Sequence, residues 1–150
     1  MNIIEKFYQA FQQKDYATMQ QCYHDEAVFT DEIFLKLNAA QVRAMWQMLI
    51  ISGKDMQLVY KDVTVTGDTG SANWIATYTF SLTKRKVVND IQAVMQLKDG
   101  LIYCHRDHFN FYTWSSMAFG AKGALLGWLP FFRKKIQAVS KGKLDAFMSK

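Results

Sequence analysis

Proline occurs once in these 150 residues, at Pro130, and cysteine twice, at Cys22 and Cys104. The cysteines stand far apart, outside any CxxC or Cys/His ligand spacing, so neither a disulfide framework nor a zinc module is written into the chain. They read as small buried residues of a reducing compartment. Histidine is also scarce: His24, His105 and His108, taken with Asp31 and Asp107, lack the dense ligand spacing of structural zinc, and neither a metal nor a cofactor is expected. The opening MNIIEKFYQAF carries Glu5 and Lys6 on an amphipathic pattern and does not read as a secretory signal. The longest strongly apolar run, ALLGWLPFF at 124–132, is too short for a bilayer and contains the proline. A cytoplasmic protein is the default expectation.

What is present is core-forming material. Half of the residues are hydrophobic and 15% are aromatic, enough to fill one substantial core and too few residues for two. The net charge of +5 invites an anionic partner, yet the basic residues form no single block. Lys84, Arg85 and Lys86 fall in an expected turn, and Arg133, Lys134, Lys135, Lys141, Lys143 and Lys150 mark the tail. A solvated loop and the polar face of a helix explain them better than a nucleic-acid groove.

Ile3, Ile4, Phe7, Tyr8 and Phe11 recur at helical spacing and predict a helix over residues 2–13. Asp15 is placed to cap a second over YATMQQCYH. HDEAVFTDEIFLKL shortens to a strand rhythm, and AAQVRAMWQMLIIS, ended by Gly53, predicts a third helix. MQLVYKDVTVTG, SANWIATYTFSLT, KVVNDIQAVMQL and LIYCHRDHFNFYTW then read as four strands. The short links GDTG, TKRK and KDG imply antiparallel hairpins. The tail returns to helical spacing, with a last helix near 131–148. Three helices before a long meander predict an α+β domain whose curved sheet wraps the helices into a cone with an open, apolar end.

FYQAFQQKDY, YHDEAVFTD and KDGLIYCHRDHFNFY, in that order, resemble the nuclear transport factor 2-like (cystatin-like) fold. Within it, they are most similar to the SnoaL-like branch related to ketosteroid isomerases and limonene epoxide hydrolases. The resemblance covers residues 1–114, and 115–150 reads as a C-terminal helical extension of the same domain. It implies cofactor-independent acid/base chemistry on a small hydrophobic molecule, and a homodimer formed through the outer sheet face near Thr77 and Thr79. Asp31 falls at the position of the isomerases' general base. Their two oxyanion donors correspond to Phe7 and Ala93, which cannot serve, and Tyr8 is one residue off. Asp107 in HRDHFN matches one aspartate of the epoxide hydrolases, whose arginine and partner aspartate have no counterpart. The chain thus holds one residue of each pattern and the full set of neither.

Alternation puts His105, Asp107 and Phe109 on one strand face, with Arg106 and His108 opposite. If that face is buried, Asp107 is a carboxylate in an apolar interior, oriented by His105, with Asp31 as the complementary acid. The plainer alternative is a buried acid satisfied by its neighbours. Tyr8, Tyr23, Trp46, Trp74, Tyr78, Phe80 and Phe109 are candidate walls for an apolar ligand, with Asn89 as a neutral donor toward a carbonyl. Each has an equally simple role as core filling, and a non-catalytic ligand-binding or scaffold protein stands beside the isomerase, cyclase or hydrolase reading. The apolar, basic-ended segment FGAKGALLGWLPFFRKK reads as a lid or subunit contact, with membrane contact as the rarer alternative.

Overall fold

The computed structural model describes residues 1–150. Two short helices, α1 (Ile3–Gln12) and α2 (Tyr16–Gln21), lead into strand β1 (Tyr23–Thr30), the two-residue β2 (Leu37–Asn38) and helix α3 (Ala39–Ser52). Four longer strands follow: β3 (Gln57–Thr66), β4 (Thr69–Thr79), β5 (Lys86–Lys98) and β6 (Leu101–His108). Helices α4 (Phe111–Phe119), α5 (Ala121–Leu126) and α6 (Pro130–Met148) complete the chain. The single six-stranded sheet runs β2-β1-β6-β5-β4-β3. All its pairings are antiparallel except β1 with β6. The expected α+β, nuclear transport factor 2-like architecture is the one observed: a curved mixed sheet wrapped over N-terminal helices.

Local chemistry explains the element ends. The Asn2 side chain accepts from Glu5 N to start α1, and Asp15 does the same for Thr18 N at α2. Asn38 and Gln41 form a reciprocal capping box on α3, and Gly53 closes that helix. The β5–β6 hairpin turns through Asp99 and Gly100, both at positive φ, as a two-residue turn matched to strand twist requires.

Three expected boundaries move. The second helix stops at Gln21, so Tyr23 and His24 belong to β1. The following strand breaks at Asp31, whose Oδ1 accepts from Ile33 N and Phe34 N and turns the chain. The last strand ends at His108, short of the expected Trp114, because Asn110 caps a new helix through Thr113 N. Periodicity alone does not register a side chain that competes for backbone amides.

The helices lie on the concave side of the sheet. Ile4, Phe7, Tyr8 and Phe11 of α1 are buried, as are Val42, Met45 and Trp46 of α3. They meet the inward residues Ala72, Trp74, Val87, Ile91, Ala93 and Met95. The tail returns to this layer: α6 packs on α3 and inserts Leu144, which is fully buried. Arg133 and Gln137 of α6 also bond Glu32, by its side chain and its carbonyl respectively. Leu144→Ala should therefore lower stability by about 2–5 kcal/mol, and a urea melt should show one transition moving as a unit. An unshifted midpoint would mean that α6 adds nothing to the fold.

Candidate functional site

The concave face carries an unusual core. His105 and Asp107 alternate inward along β6 with 1% and 2% exposure, while Arg106 and His108 face out. His105 Nε2 lies 2.9 Å from Asp107 Oδ1, and its Nδ1 lies 2.7 Å from the Tyr23 hydroxyl. Trp46 Nε1 donates to that same hydroxyl at 2.9 Å. An indole N–H can only donate, so the Tyr23 oxygen accepts from it; a carboxylate can only accept, so His105 turns Nε2–H toward Asp107, and a neutral ring leaves Nδ1 to take the Tyr23 proton. The imidazole proton therefore sits on Nε2 and points at Asp107. Trp74 Nε1 reaches the same carboxylate oxygen at 3.4 Å. Packing holds the imidazole still: Tyr23 and Trp46 stack on it, and Phe29 and Phe7 meet it edge-on.

Register supplies the second acid. The parallel β1–β6 pairing sets Phe29 beside His105 and Thr30 beside Arg106. Just past the end of that pairing, Asp31 and Asp107 line the same cavity. Asp31 Oδ1 is taken up by the two backbone amides of its turn at 2.7 and 2.6 Å, which leaves Oδ2 without a protein partner. Burial pushes this carboxyl up to about 7, the nearby Asp107 charge adds a smaller push, and the two amides oppose both. Burial likewise raises the Tyr8 and Tyr23 hydroxyls, with the Asp107 charge contributing to each.

Both carboxylates line a cavity of about 420 Å³ enclosed by the sheet, α3, the Phe80–Leu82 turn and α6. Of the residues expected from sequence, Trp46, Trp74, Tyr78, Phe80, Asn89 and Phe109 are in its wall. His105, Tyr8 and Tyr23 stand behind it in the core. His105 and Tyr23 reach the cavity through Asp107. The Tyr8 hydroxyl is fully enclosed and is the one such side-chain polar atom without a hydrogen-bond partner.

Two neutral donors face the hollow. The Asn89 amide makes no hydrogen bond within the protein and is nearly buried. Tyr78 accepts from Trp114 Nε1 at 2.9 Å, which frees its own proton for a ligand. The tail, whose FGAKGALLGWLPFFRKK segment the sequence offers as a lid or a subunit contact, supplies part of the wall through residues the sequence did not single out: Trp114 and Phe119 of α4, and Ile136, Val139, Ser140 and Lys143 of α6. Helical spacing predicts the last helix but does not say what it covers. A second hollow, more open, lies outside the cone between His108, Tyr112, Trp128 and Arg133.

Residues 4–105 match the SnoaL-like domain family, and the chain belongs to that family. The matched segment spans α1 to His105 and ends two residues before Asp107. No curated protein matches the sequence. Among solved structures, IdmH, a putative polyketide cyclase from Streptomyces antibioticus, superposes with a TM-score of 0.63 at 19% identity, covering 77% of this chain and 94% of that one. An LEH-like epoxide hydrolase from M. tuberculosis gives 0.63 at 17% identity, over 85% and 93% of the two chains. A Catenulispora acidiphila protein with a ketosteroid isomerase-like fold, bound to trimethylamine, gives 0.65 at 7%, over 77% and 91%. At such identities the likeness is one of fold.

Two outcomes check this geometry. Unfolded, the Asp31 carboxyl titrates near its ordinary 3.8, and folded near about 7, so between those values the folded state holds more protons and stability falls as pH rises. Asp31→Asn keeps the Oδ1 acceptor and should lose that slope, exceeding the parent in stability above about pH 7; parallel melting profiles from about pH 4 to 8 would refute the raised value. Tyr23→Phe strips partners from Trp46 Nε1 and His105 Nδ1 and should cost about 1–3 kcal/mol in urea unfolding. A neutral result would break the proposed chain of donors.

Proposed function

We propose that this SnoaL-like protein is a cofactor-independent acid/base enzyme, an isomerase, cyclase or hydrolase, acting on a small hydrophobic molecule. One observation carries the reading: Asp31 and Asp107 look into one aromatic-walled cavity, each with one oxygen held by protein donors and the other free. In this reading Asp107 takes a proton from the ligand on Oδ2 or returns it. His105 is a positioning residue, fixing Oδ1 through Nε2–H in the tautomer that Tyr23 selects. Asp31, titrating near about 7, is the complementary donor. Tyr78 and Asn89 orient the ligand's oxygen, a role for which Phe7 and Ala93 offer nothing. The apolar walls favour a polyketide- or steroid-like body and give an anionic one no counter-charge beyond Lys143 at the α6 rim.

A homodimer through the outer sheet face belongs to the same proposal, supported by the exposure of Val59, Val88 and Val94 there. A second reading, a non-catalytic ligand-binding protein, is favoured by the missing arginine and second aspartate of the hydrolase set. Solvent exchange separates the two. Apolar cyclic ketones incubated with the protein in deuterium oxide should gain deuterium beside the carbonyl, and Asp107→Asn should slow this by about 100-fold or more while still quenching tryptophan fluorescence on binding. Binding without exchange in the parent protein, and without hydrolysis of apolar epoxides, would make it a carrier.

A further inference from the structure

The cavity does not account for the corner between α5 and α6. Over seven residues, Leu125, Trp128, Leu129 and Phe131 are 76%, 71%, 38% and 64% exposed, and Pro130 among them is exposed as well. Large apolar side chains scattered singly on a surface are ordinary, but four of them exposed within one short corner, beside the open hollow that Trp128 and Leu129 border, are not. The group is also held in place. The Trp128 ring stacks on Tyr112 at 4.3 Å, and Arg133, paired with Glu32 and lying over the Phe111 ring, pins the first turn of α6.

Along this stretch of the chain the charge has one sign. Between Asp107 and Asp145 the chain has six Lys or Arg residues and no Asp or Glu. Lys122, Lys134 and Lys135 flank the apolar corner, are exposed, and form no ion pair.

We propose that this corner is a docking surface for an anionic lipid bilayer, with Trp128, Phe131, Leu125 and Leu129 entering the headgroup–acyl boundary and Lys122, Lys134 and Lys135 meeting the lipid phosphates. Two features favour this occupant. Indole and phenyl rings beside ammonium groups match the interface, where apolar chains and negative charge are stacked within one layer. A second copy of the chain is a poorer fit, because a two-fold contact sets this patch against itself and brings lysines onto lysines.

The surface stands whether or not the cavity is catalytic, yet the two are joined. The helix that begins with exposed Pro130 and Phe131 lines the cavity with Ile136 and Val139, about 12 Å along its axis. A docked protein would thus hold its cavity wall close to the source of any ligand dissolved in the membrane.

The test is co-sedimentation of the full chain with phosphatidylcholine vesicles containing about 30% phosphatidylserine, against phosphatidylcholine alone. Binding to the anionic vesicles should exceed that to neutral ones by about tenfold or more, and should fall as salt screens the lysines. Trp128→Ser with Phe131→Ser, and separately Lys134→Glu with Lys135→Glu, should each lower it by about tenfold or more with unchanged thermal melting. Brominated acyl chains should quench the tryptophan emission of the parent protein and do so less in Trp128→Phe. No sedimentation with anionic vesicles would overturn the proposal. So would binding untouched by both double variants, or self-association lost with the Trp128 and Phe131 rings in a protein that ignores vesicles.

Discussion

A carboxylate enclosed by aromatic rings persists only where donors replace the water it has lost, and the rest of this molecule is arranged around that need at Asp107. His105 meets it at 2.9 Å, but an imidazole is a dependable donor only if its tautomer is set from the other side. Tyr23 sets it, and Trp46 gives Tyr23 its direction. The chain of donors begins on α3, passes through the first residue of β1 and ends on β6, so it ties three elements distant in sequence. Its members are core residues and site residues at once. Loosening any of them changes how the carboxylate is presented before it changes anything at the cavity wall.

The parallel pairing of β1 with β6 is the second constraint. Every other neighbour in the sheet is antiparallel, and hairpins alone would have left the turn at Asp31 far from β6. Because Phe29 lies beside His105, the turn that follows β1 opens with Asp31 at the cavity that Asp107 of β6 also lines. The Asx turn that breaks β1 there fixes one oxygen with backbone amides and leaves the other free. Burial is the main reason the Asp31 carboxyl is pushed up, and the charge of Asp107 across the same hollow adds a smaller push in the same direction. Membership of the SnoaL-like family accounts for the scaffold. It does not by itself supply a chemistry; Tyr78 and Asn89 offer donors to the cavity where Phe7 and Ala93 cannot.

Much of this was legible in the sequence. The helices and long strands follow from apolar periodicity, and the sharing of one face by His105, Asp107 and Phe109 follows from strand alternation. Their burial at 1%, 2% and 6% agrees with the hydrophobic company they keep. Periodicity failed where a short polar side chain captured backbone amides: Asp31 cut a strand, and Asn110 turned FYTW from strand into helix. Aromatic composition marked the wall residues as a set but could not sort wall from core. Tyr8 and Tyr23 lie behind the cavity, and Trp114 and Phe119 line it from α4.

By itself, then, the order of residues determined the elements, the inward face of β6 and the acidic and aromatic inventory, because these depend on spacings of two to four residues along one chain. Tertiary structure decided which acids meet, which tautomer His105 carries, and that α6 returns to close the cavity while leaving Trp128 and Phe131 outside. Those outcomes depend on contacts between segments tens of residues apart, where register, side-chain direction and the packing of one layer on another select among arrangements that local pattern leaves equivalent.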